Sequence, residues 1–164
     1  MKKACQQVVD KDHGDCMQAV MASLFELPLE KVPEFIKYKE WFEPFWNFLK
    51  SQGYEYIGMR HNRNYSNLMT PTEECFRDFK FVSRLGITPK CLYKYNGING
   101  YFYASVLSPK YFNWSQQTTH AVIIDRDLNI VHDPSPSYKD LKRYPLSRIL
   151  GYNGLIDLYL IEKI

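Results

Sequence analysis

The hydrophobic pattern of this chain changes from a helical period to a strand period, and this change restricts its fold more than any other feature. In two early stretches the apolar side chains recur every three or four residues, as on the buried face of a helix. They stand at Met17, Val20, Met21, Leu24 and Phe25 in the first stretch and at Phe42, Phe45, Trp46 and Leu49 in the second. The sequence therefore predicts two amphipathic helices. Asp15 is the expected N-cap of the first, Pro28 its expected end, and Gly53 the expected C-cap of the second.

The remaining segments are short, rich in β-branched and aromatic residues, and separated by turn residues such as Asn96-Gly97 and Asn99-Gly100. The predicted strands are Tyr54–Met59, Lys90–Tyr95, Tyr101–Leu107, His120–Asp125, Asn129–Asp133 and Leu155–Ile161. Residues 61–75 are polar and predict a surface loop, while residues 76–82 fit either a helix or a strand. Helices followed by strands, without a βαβ alternation, predict an α+β fold in which N-terminal helices pack on a C-terminal antiparallel sheet.

Length and composition indicate the class of protein. A chain of 164 residues with 16% aromatic residues is predicted to form one globular domain, residues 1–164, with the helical aromatic residues in its core. The net charge of +3 is spread along the chain, so no nucleic-acid partner is expected. The apolar runs are far shorter than the ~20 residues of a membrane helix, and none resembles a signal peptide. We therefore expect a cytoplasmic protein, without a membrane partner, whose thiols stay reduced.

One cysteine differs from the others in its position. The four thiols have neither a CxxC pair nor a regular spacing, so no zinc site or disulfide framework is predicted; they are Cys5, Cys16, Cys75 and Cys91. Cys16 opens the first helix, directly after Gly14-Asp15. The positive end of a helix stabilises a thiolate, which is the reactive form of cysteine. The alternative interpretation is a small apolar side chain in a buried helix.

A histidine and an aspartate stand at the open end of a predicted hairpin, where His120 begins one strand and Asp133 ends the next. Because side chains alternate between the two faces of a strand, a two-residue connection sets this pair directly opposite each other. A four-residue connection sets the pair diagonally on one face, and an odd connection without a bulge puts the two on opposite faces. The same alternation turns His132 to the other face, where a structural or exposed position is expected.

Cys16, His120 and Asp133 together have the residue types of a catalytic triad. In such a triad the imidazole takes the thiol proton, and the carboxylate orients the ring and stabilises the imidazolium. The same three residue types can bind a metal ion, but this is the weaker interpretation, and no metal or cofactor is expected.

Three blocks of the chain resemble small papain-like cysteine hydrolases. The first is the segment from Gly14 to Pro33, in which Gly-Asp-Cys opens a helix and Leu-Pro-Leu-Glu-Lys-Val-Pro follows it. The others are His120-Ala121-Val122 and Val131-His132-Asp133-Pro134-Ser135-Pro136-Ser137. The nearest group is similar to the peptidase domains of bacteriocin-exporting transporters, which also exist as short free-standing proteins in bacteria and phages. The resemblance covers about residues 4–33 and 101–138, and no motif in residues 55–100 matches.

This resemblance implies a papain-like fold, with a cleft between the helical part and the antiparallel sheet. It implies that Cys16 is the nucleophile, His120 the general base and acid, and Asp133 the residue that orients His120. It also implies a glutamine that donates a hydrogen bond to the oxyanion. The candidates are Gln6 and Gln7, and Gln6 fits the free-standing pattern better.

The expected function is therefore hydrolysis of an amide, peptide or isopeptide bond through a thioester intermediate, with a peptide or protein substrate. The alternative is a non-catalytic binding or inhibitor module on the same fold, for example one encoded by a phage and present in the host cytoplasm. The cleaved bond and the oligomeric state are not predicted. His13 and the segment Tyr111-Phe112-Asn113-Trp114 either line the cleft or serve only as loop and packing residues.

Overall fold

The computed structural model describes residues 1–8, 14–61, 87, 89–108, 118–135 and 155–164. Within these ranges the helices are α1 (Cys16–Leu24) and α2 (Phe42–Ser51). The strands are β1 (Tyr54–His61), β2 (Phe102–Leu107), β3 (Thr119–Ile124), β4 (Ile130–His132) and β5 (Leu155–Lys163). Both of these helices precede the strands, and the strands pair into one antiparallel sheet. The predicted α+β class is confirmed.

The sheet has the strand order β1-β5-β2-β3-β4, and each neighbouring pair is antiparallel. The last strand, β5, therefore lies at the interior of the sheet, between β1 and β2. The hairpin that carries His120 and Asp133 forms the β4 edge. The open end of this hairpin, where His120 and Asp133 stand, therefore lies at one corner of the sheet.

Both faces of the sheet are covered by apolar side chains. On one face α1 packs over β3 and α2 packs over β1. The core on this face includes Val20, Leu24, Phe45, Leu49, Ala121 and Ile123, and the core on the other face includes Phe102, Ala104, Val106, Val122 and Ile124. Strands that are buried on both sides read as nearly continuous apolar runs. This explains why β2 and β3 were recognisable as strands without a polar and apolar alternation.

The first helix begins at Cys16 as predicted but ends before Pro28. The N–H of Glu26 bonds to the carbonyl of Ser23, and the N–H of Leu27 bonds to the carbonyl of Ala22. Glu26 has a positive φ of 56°. These are the features of a Schellman ending, with glutamate in the position that glycine usually occupies. The prediction that Pro28 ends the helix is therefore wrong, because the capping bonds end it at Leu24.

The second helix forms where it was predicted and buries Phe45 and Leu49 of its predicted stripe, and Gly53 follows it with a positive φ of 78°. Phe45 is fully buried, whereas the side chain of Trp46 is exposed. The expectation that the aromatic side chains of this helix lie in the core is therefore wrong for Trp46. Trp46 packs edge-on against Phe42, with centroids 5.4 Å apart, and Phe48 is buried instead.

The strand predicted at Lys90–Tyr95 is wrong. Residues Pro89–Leu92 form a 3-10 turn, and the N–H of Tyr95 bonds back to the carbonyl of Leu92. Proline fixes φ in the helical range and lacks the N–H of a strand ladder, so it favours such a turn. Residues 62–86 lie outside the described residues, and so do most of the predicted 61–75 loop and all of the ambiguous segment 76–82.

The Asn99-Gly100 turn predicted ahead of β2 is confirmed. Asn99 and Gly100 have positive φ values of 54° and 84°. Ile98 and Tyr101 exchange backbone hydrogen bonds across them, at 2.9 and 3.0 Å. A two-residue connection with two positive φ values is the type I′ turn that Asn-Gly favours.

The β3–β4 hairpin contains the irregularity that keeps its catalytic candidates together. Ile124 pairs with Ile130, which leaves the five residues 125–129 as the connection. An odd connection alone would put His120 and Asp133 on opposite faces. However, Ile123 pairs with His132 rather than with Val131, so Val131 is an extra residue in a β-bulge. The bulge therefore puts His120 and Asp133 back on the same face of the hairpin, which the five-residue connection alone would not do.

The connection itself is built around one carboxylate. Oδ1 of Asp125 accepts hydrogen bonds from the N–H groups of Asp127 and Asn129, at 2.9 and 2.8 Å, and Oδ2 accepts one from the side chain of Asn129, at 3.0 Å. Leu128 takes the positive φ of 67° that closes the turn.

None of the described helices is long and apolar enough to cross a bilayer.

We predict that Asp125→Ala lowers the free energy of unfolding by about 1–2 kcal/mol, because two backbone donors and one side-chain donor lose a charged acceptor. Urea denaturation of wild type and variant measures this loss. Asp127→Ala is the matched control, since that exposed neighbouring carboxylate makes no hydrogen bond within the described residues. Equal losses in the two variants would contradict the role assigned to Asp125.

Candidate active site

Cys16 is the first residue of α1 and is half-buried at the end of the helix. Its position follows from the packing of α1 over β3, which carries His120 at its start. The apolar stripe of α1 faces the sheet, so the helix is held along its length and its N-terminus is fixed at the corner of the sheet. The helix N-terminus therefore presents its free backbone N–H groups around the thiol.

His120 and Asp133 are in direct contact. Nε2 of His120 lies 2.7 Å from Oδ1 of Asp133, and His120 is buried. The same Oδ1 accepts a hydrogen bond from the N–H of Ser135, at 2.8 Å. Asp133 is therefore oriented by the chain that follows it, and the ring of His120 is oriented by Asp133.

Cys16 lies close enough to His120 to influence the pKa of its ring. Burial on its own lowers the pKa of His120. The hydrogen bonds to Asp133 and Cys16 and the negative charges on both residues outweigh burial, and raise the pKa from 6.5 to about 9. The ring of His120 is therefore an imidazolium at neutral pH.

Within the described ranges, no group of three or more histidine, cysteine, aspartate or glutamate side chains is arranged to hold a metal ion. The metal interpretation of these three residues is therefore not supported by their geometry.

The two candidate glutamines lie in different environments. Gln6 is 7% exposed, and its backbone N–H bonds to the carbonyl of Pro134, next to Asp133. Its Nε2 donates to the carbonyl of Val8 at 2.9 Å, and its Oε1 is buried without a hydrogen-bond partner among the described residues. Gln7 has an exposed side chain. Gln6 is thus the glutamine that packs beside the histidine–aspartate pair.

Asp15 occupies the N-cap position of α1, but its side chain makes no capping hydrogen bond. Its carboxylate accepts the N–H groups of Gln7 and Val8 instead, at 2.9 and 3.0 Å. The expectation that Asp15 caps the helix through its side chain is therefore wrong. The carboxylate is used to hold the segment that carries Gln6.

His132 is buried and structural. Its Nε2 lies 2.7 Å from the carbonyl of Ala4, which makes the ring a donor to that carbonyl. Burial lowers the pKa of His132, and the nearby charge of Lys3 lowers it further, whereas Ala4 and Asp133 act in the opposite direction. His132 thus binds the N-terminal segment and does not share the ion pair of His120.

The sequence reasoning missed a tyrosine next to the thiol. Burial raises the pKa of Tyr103 well above its usual value, and the charges of Tyr159 and then of Cys16 raise it further. Its ring stacks nearly parallel on that of Tyr159, with centroids 4.0 Å apart. Tyr103 pairs with Tyr159 across β2 and β5, so no local pattern in the sequence links either one to Cys16.

The other candidates raised by the sequence do not enter this site. Cys5 is exposed. His13, Cys75 and the segment 111–114 lie outside the described residues, and so does the side chain of Cys91.

Comparison with known proteins found no family model, curated protein or solved structure that matches this chain. The assignment of a function therefore depends on the geometry of Cys16, His120 and Asp133 and on the residues that surround them.

Proposed function

We propose that this protein is a papain-like cysteine hydrolase that cleaves an amide, peptide or isopeptide bond in a peptide or protein. The observation that carries the proposal is that the buried imidazole of His120 bonds to Asp133 at 2.7 Å, while Cys16 lies close enough to the same ring to raise its pKa. A thiol, an imidazole and a carboxylate joined in this order are the parts of a nucleophilic triad.

The protonation state of His120 supports the first step. Because the pKa of His120 is about 9, the ring can hold the proton of Cys16 at neutral pH. The resulting thiolate is the nucleophilic form of cysteine. The carboxylate of Asp133 offsets part of the cost of keeping the imidazolium in a buried position.

Acylation begins when Sγ of Cys16 attacks the carbonyl carbon of the substrate. A C–S bond forms, and the carbonyl electron pair moves to oxygen, giving a tetrahedral oxyanion. The oxyanion collapses, the C–N bond breaks, and the imidazolium of His120 donates its proton to the leaving amine. The products of this step are a thioester on Cys16 and a free amine.

Deacylation reverses the roles of the same groups. The neutral imidazole of His120 takes a proton from water, and the oxygen attacks the thioester carbonyl. The C–S bond breaks, a carboxylic acid leaves, and Cys16 returns to its thiolate beside the imidazolium. Asp133 keeps Nε2 of His120 bound in both steps. The imidazole therefore keeps one orientation relative to Cys16 throughout the reaction.

Two donors are available for the oxyanion. The backbone N–H of Cys16 belongs to the first turn of α1, where N–H groups have no partner within the helix. Gln6 uses Nε2 to bind the carbonyl of Val8, and Nε2 carries a second hydrogen. Donors of this kind typically contribute about 10²–10³ in turnover each.

We predict that Cys16 reacts faster than the other three cysteines with iodoacetamide at pH 6, because the imidazolium of His120 stabilises its thiolate. Alkylation at each cysteine, measured by peptide mass spectrometry as a function of pH, tests this prediction. His120→Ala should abolish the advantage of Cys16 at pH 6. Asp133→Asn should reduce it, because an uncharged partner stabilises the imidazolium less.

His132→Gln is the matched control for the alkylation experiment, since it alters a buried histidine of the same hairpin that lies outside the triad. Its profile should follow the wild type. If Cys16 of the wild type instead shows no advantage that depends on His120, the hydrolase proposal is wrong. The non-catalytic binding module then becomes the better interpretation of the same fold.

The raised pKa of His120 also predicts a pH dependence of stability. A group whose pKa rises on folding contributes stability that is complete below its unfolded pKa and disappears as the pH passes its folded pKa. For His120 this window extends from pH 6.5 to about 9. The stability difference between wild type and His120→Gln should fall across it by at most about 3 kcal/mol. Urea midpoints at several pH values measure it, and a constant difference would contradict the assigned ion pair.

A further inference from the structure

Asp15 is a buried carboxylate directly before the proposed nucleophile, and both oxygens of its side chain bond to a different part of the chain. Oδ2 accepts the N–H of Gln7 at 2.9 Å, and Oδ1 accepts the N–H of Val8 at 3.0 Å. The backbone N–H of Asp15 bonds to the carbonyl of Val8 at 3.3 Å. Asp15 therefore holds Val8 at both its N–H and its carbonyl.

Val8 in turn orients the side chain of Gln6. The carbonyl of Val8 accepts the hydrogen bond from Nε2 of Gln6, at 2.9 Å. Because a carbonyl can only accept, this contact also fixes which end of the Gln6 amide carries nitrogen. A continuous set of hydrogen bonds thus leads from Asp15, through Val8, to the amide of Gln6.

The segment of residues 4–8, which we call the strap, is anchored to both halves of the site. On the side of α1 it is bound by Asp15 and by Ser23, whose Oγ accepts the N–H of Ala4 at 2.8 Å. On the side of the hairpin, His132 binds the carbonyl of Ala4 and Pro134 accepts the N–H of Gln6. The strap therefore connects the helix of the nucleophile to the hairpin of the histidine–aspartate pair.

A role of Asp15 in helix capping does not explain these contacts. Its side chain makes no hydrogen bond to the N-terminus of α1. A serine at this position would be as good an N-cap. What a serine cannot supply is two carboxylate oxygens that reach two successive N–H groups of the strap.

We propose that Asp15 is a positioning residue of the hydrolase, and that it fixes the amide of Gln6 as an oxyanion donor by binding Gln7 and Val8. This inference rests on the proposed function, because it gives Asp15 a role in the same acyl transfer. Asp15 acts through Gln6 and contacts neither the substrate nor the thiolate. Substitution of Asp15 therefore lowers the rate of reactions at Cys16 that form an oxyanion. It leaves unchanged the rate of thiolate reactions in which no oxyanion forms.

Two probes separate these steps without a known substrate. With p-nitrophenyl acetate, Sγ of Cys16 attacks the ester carbonyl, an oxyanion forms, and p-nitrophenolate leaves as the ester C–O bond breaks. With 4,4′-dithiodipyridine, the same sulfur attacks a disulfide, an S–S bond forms and another breaks, and no oxyanion appears. The ratio of the two rates at Cys16, assigned by peptide mass spectrometry, reports oxyanion stabilisation apart from thiolate reactivity.

We expect Asp15→Ser and Gln6→Ala each to lower this ratio about fivefold or more, and the double variant to lower it no further, because the two residues act as one unit. Asp15→Asn keeps one acceptor oxygen and should recover part of the ratio. Glu162→Ser is the control, because it removes a carboxylate that accepts two successive backbone N–H groups, of Asn96 and Gly97, outside the strap, and it should leave the ratio near that of the wild type. Hydrogen exchange of residues 6–8 should quicken in Asp15→Ser, which shows that the strap is released.

The outcomes separate the two proposals. If exchange quickens in Asp15→Ser but the ratio stays at the wild-type value, or if the losses of the two single variants multiply in the double variant, the positioning role is wrong and the hydrolase proposal stands. If the disulfide reaction of wild-type Cys16 does not depend on His120, the hydrolase proposal fails, and the role of Asp15 in it fails as well.

Discussion

The contact between Nε2 of His120 and Oδ1 of Asp133, at 2.7 Å, is the interaction on which the rest of the site depends. It requires two strands of one hairpin to present side chains on the same face, although an odd number of residues connects them. The extra residue Val131 meets this requirement, because a bulge shifts the register by one residue. The carboxylate of Asp125 stabilises the connection from the other end. A small change in the hairpin would therefore separate the two residues without altering the rest of the sheet.

The position of Cys16 depends on a different kind of constraint, which is burial. The apolar stripe of α1 packs over β3, in a core that α1 shares with α2 and the sheet. Once the stripe is buried, the N-terminus of the helix lies at the start of β3, where His120 stands. The thiol and the imidazole thus meet through core packing, whereas the imidazole and the carboxylate meet through strand register. The strap adds a third connection, because its hydrogen bonds join α1 to the hairpin of His120 and Asp133.

The sequence predicted those elements that are determined by residues close together in the chain. The stripe from Met17 to Phe25 predicted α1, and the runs around His120 and Asp133 predicted a hairpin, because both depend on neighbours in the chain. The strand expected at Lys90–Tyr95 failed because Pro89 favours a 3-10 turn over the β-branched and aromatic residues that follow. The placement of Tyr103 beside Cys16 was not predictable, since it requires β5 to insert between β1 and β2. The hydrogen bonds of the Asp15 carboxylate were missed for a related reason. The residues next to Asp15 indicate a helix cap, but the N–H groups that it binds belong to Gln7 and Val8, eight and seven residues earlier in the chain.

The corner that holds these residues retains polar atoms that the fold leaves unsatisfied. Within the described residues, the buried side-chain atoms without a hydrogen-bond partner are Oε1 of Gln6 and Oγ of Ser135. Each such atom costs about 1–3 kcal/mol. Both lie in segments that contact the Asp133 turn, since Gln6 binds Pro134 and Ser135 binds Asp133. Within the described residues, the unsatisfied buried side-chain atoms therefore lie beside the proposed active site. If the proposed function is right, these are the atoms to which the polar groups of a substrate would bond, because sequences depart from full internal satisfaction mainly at functional positions.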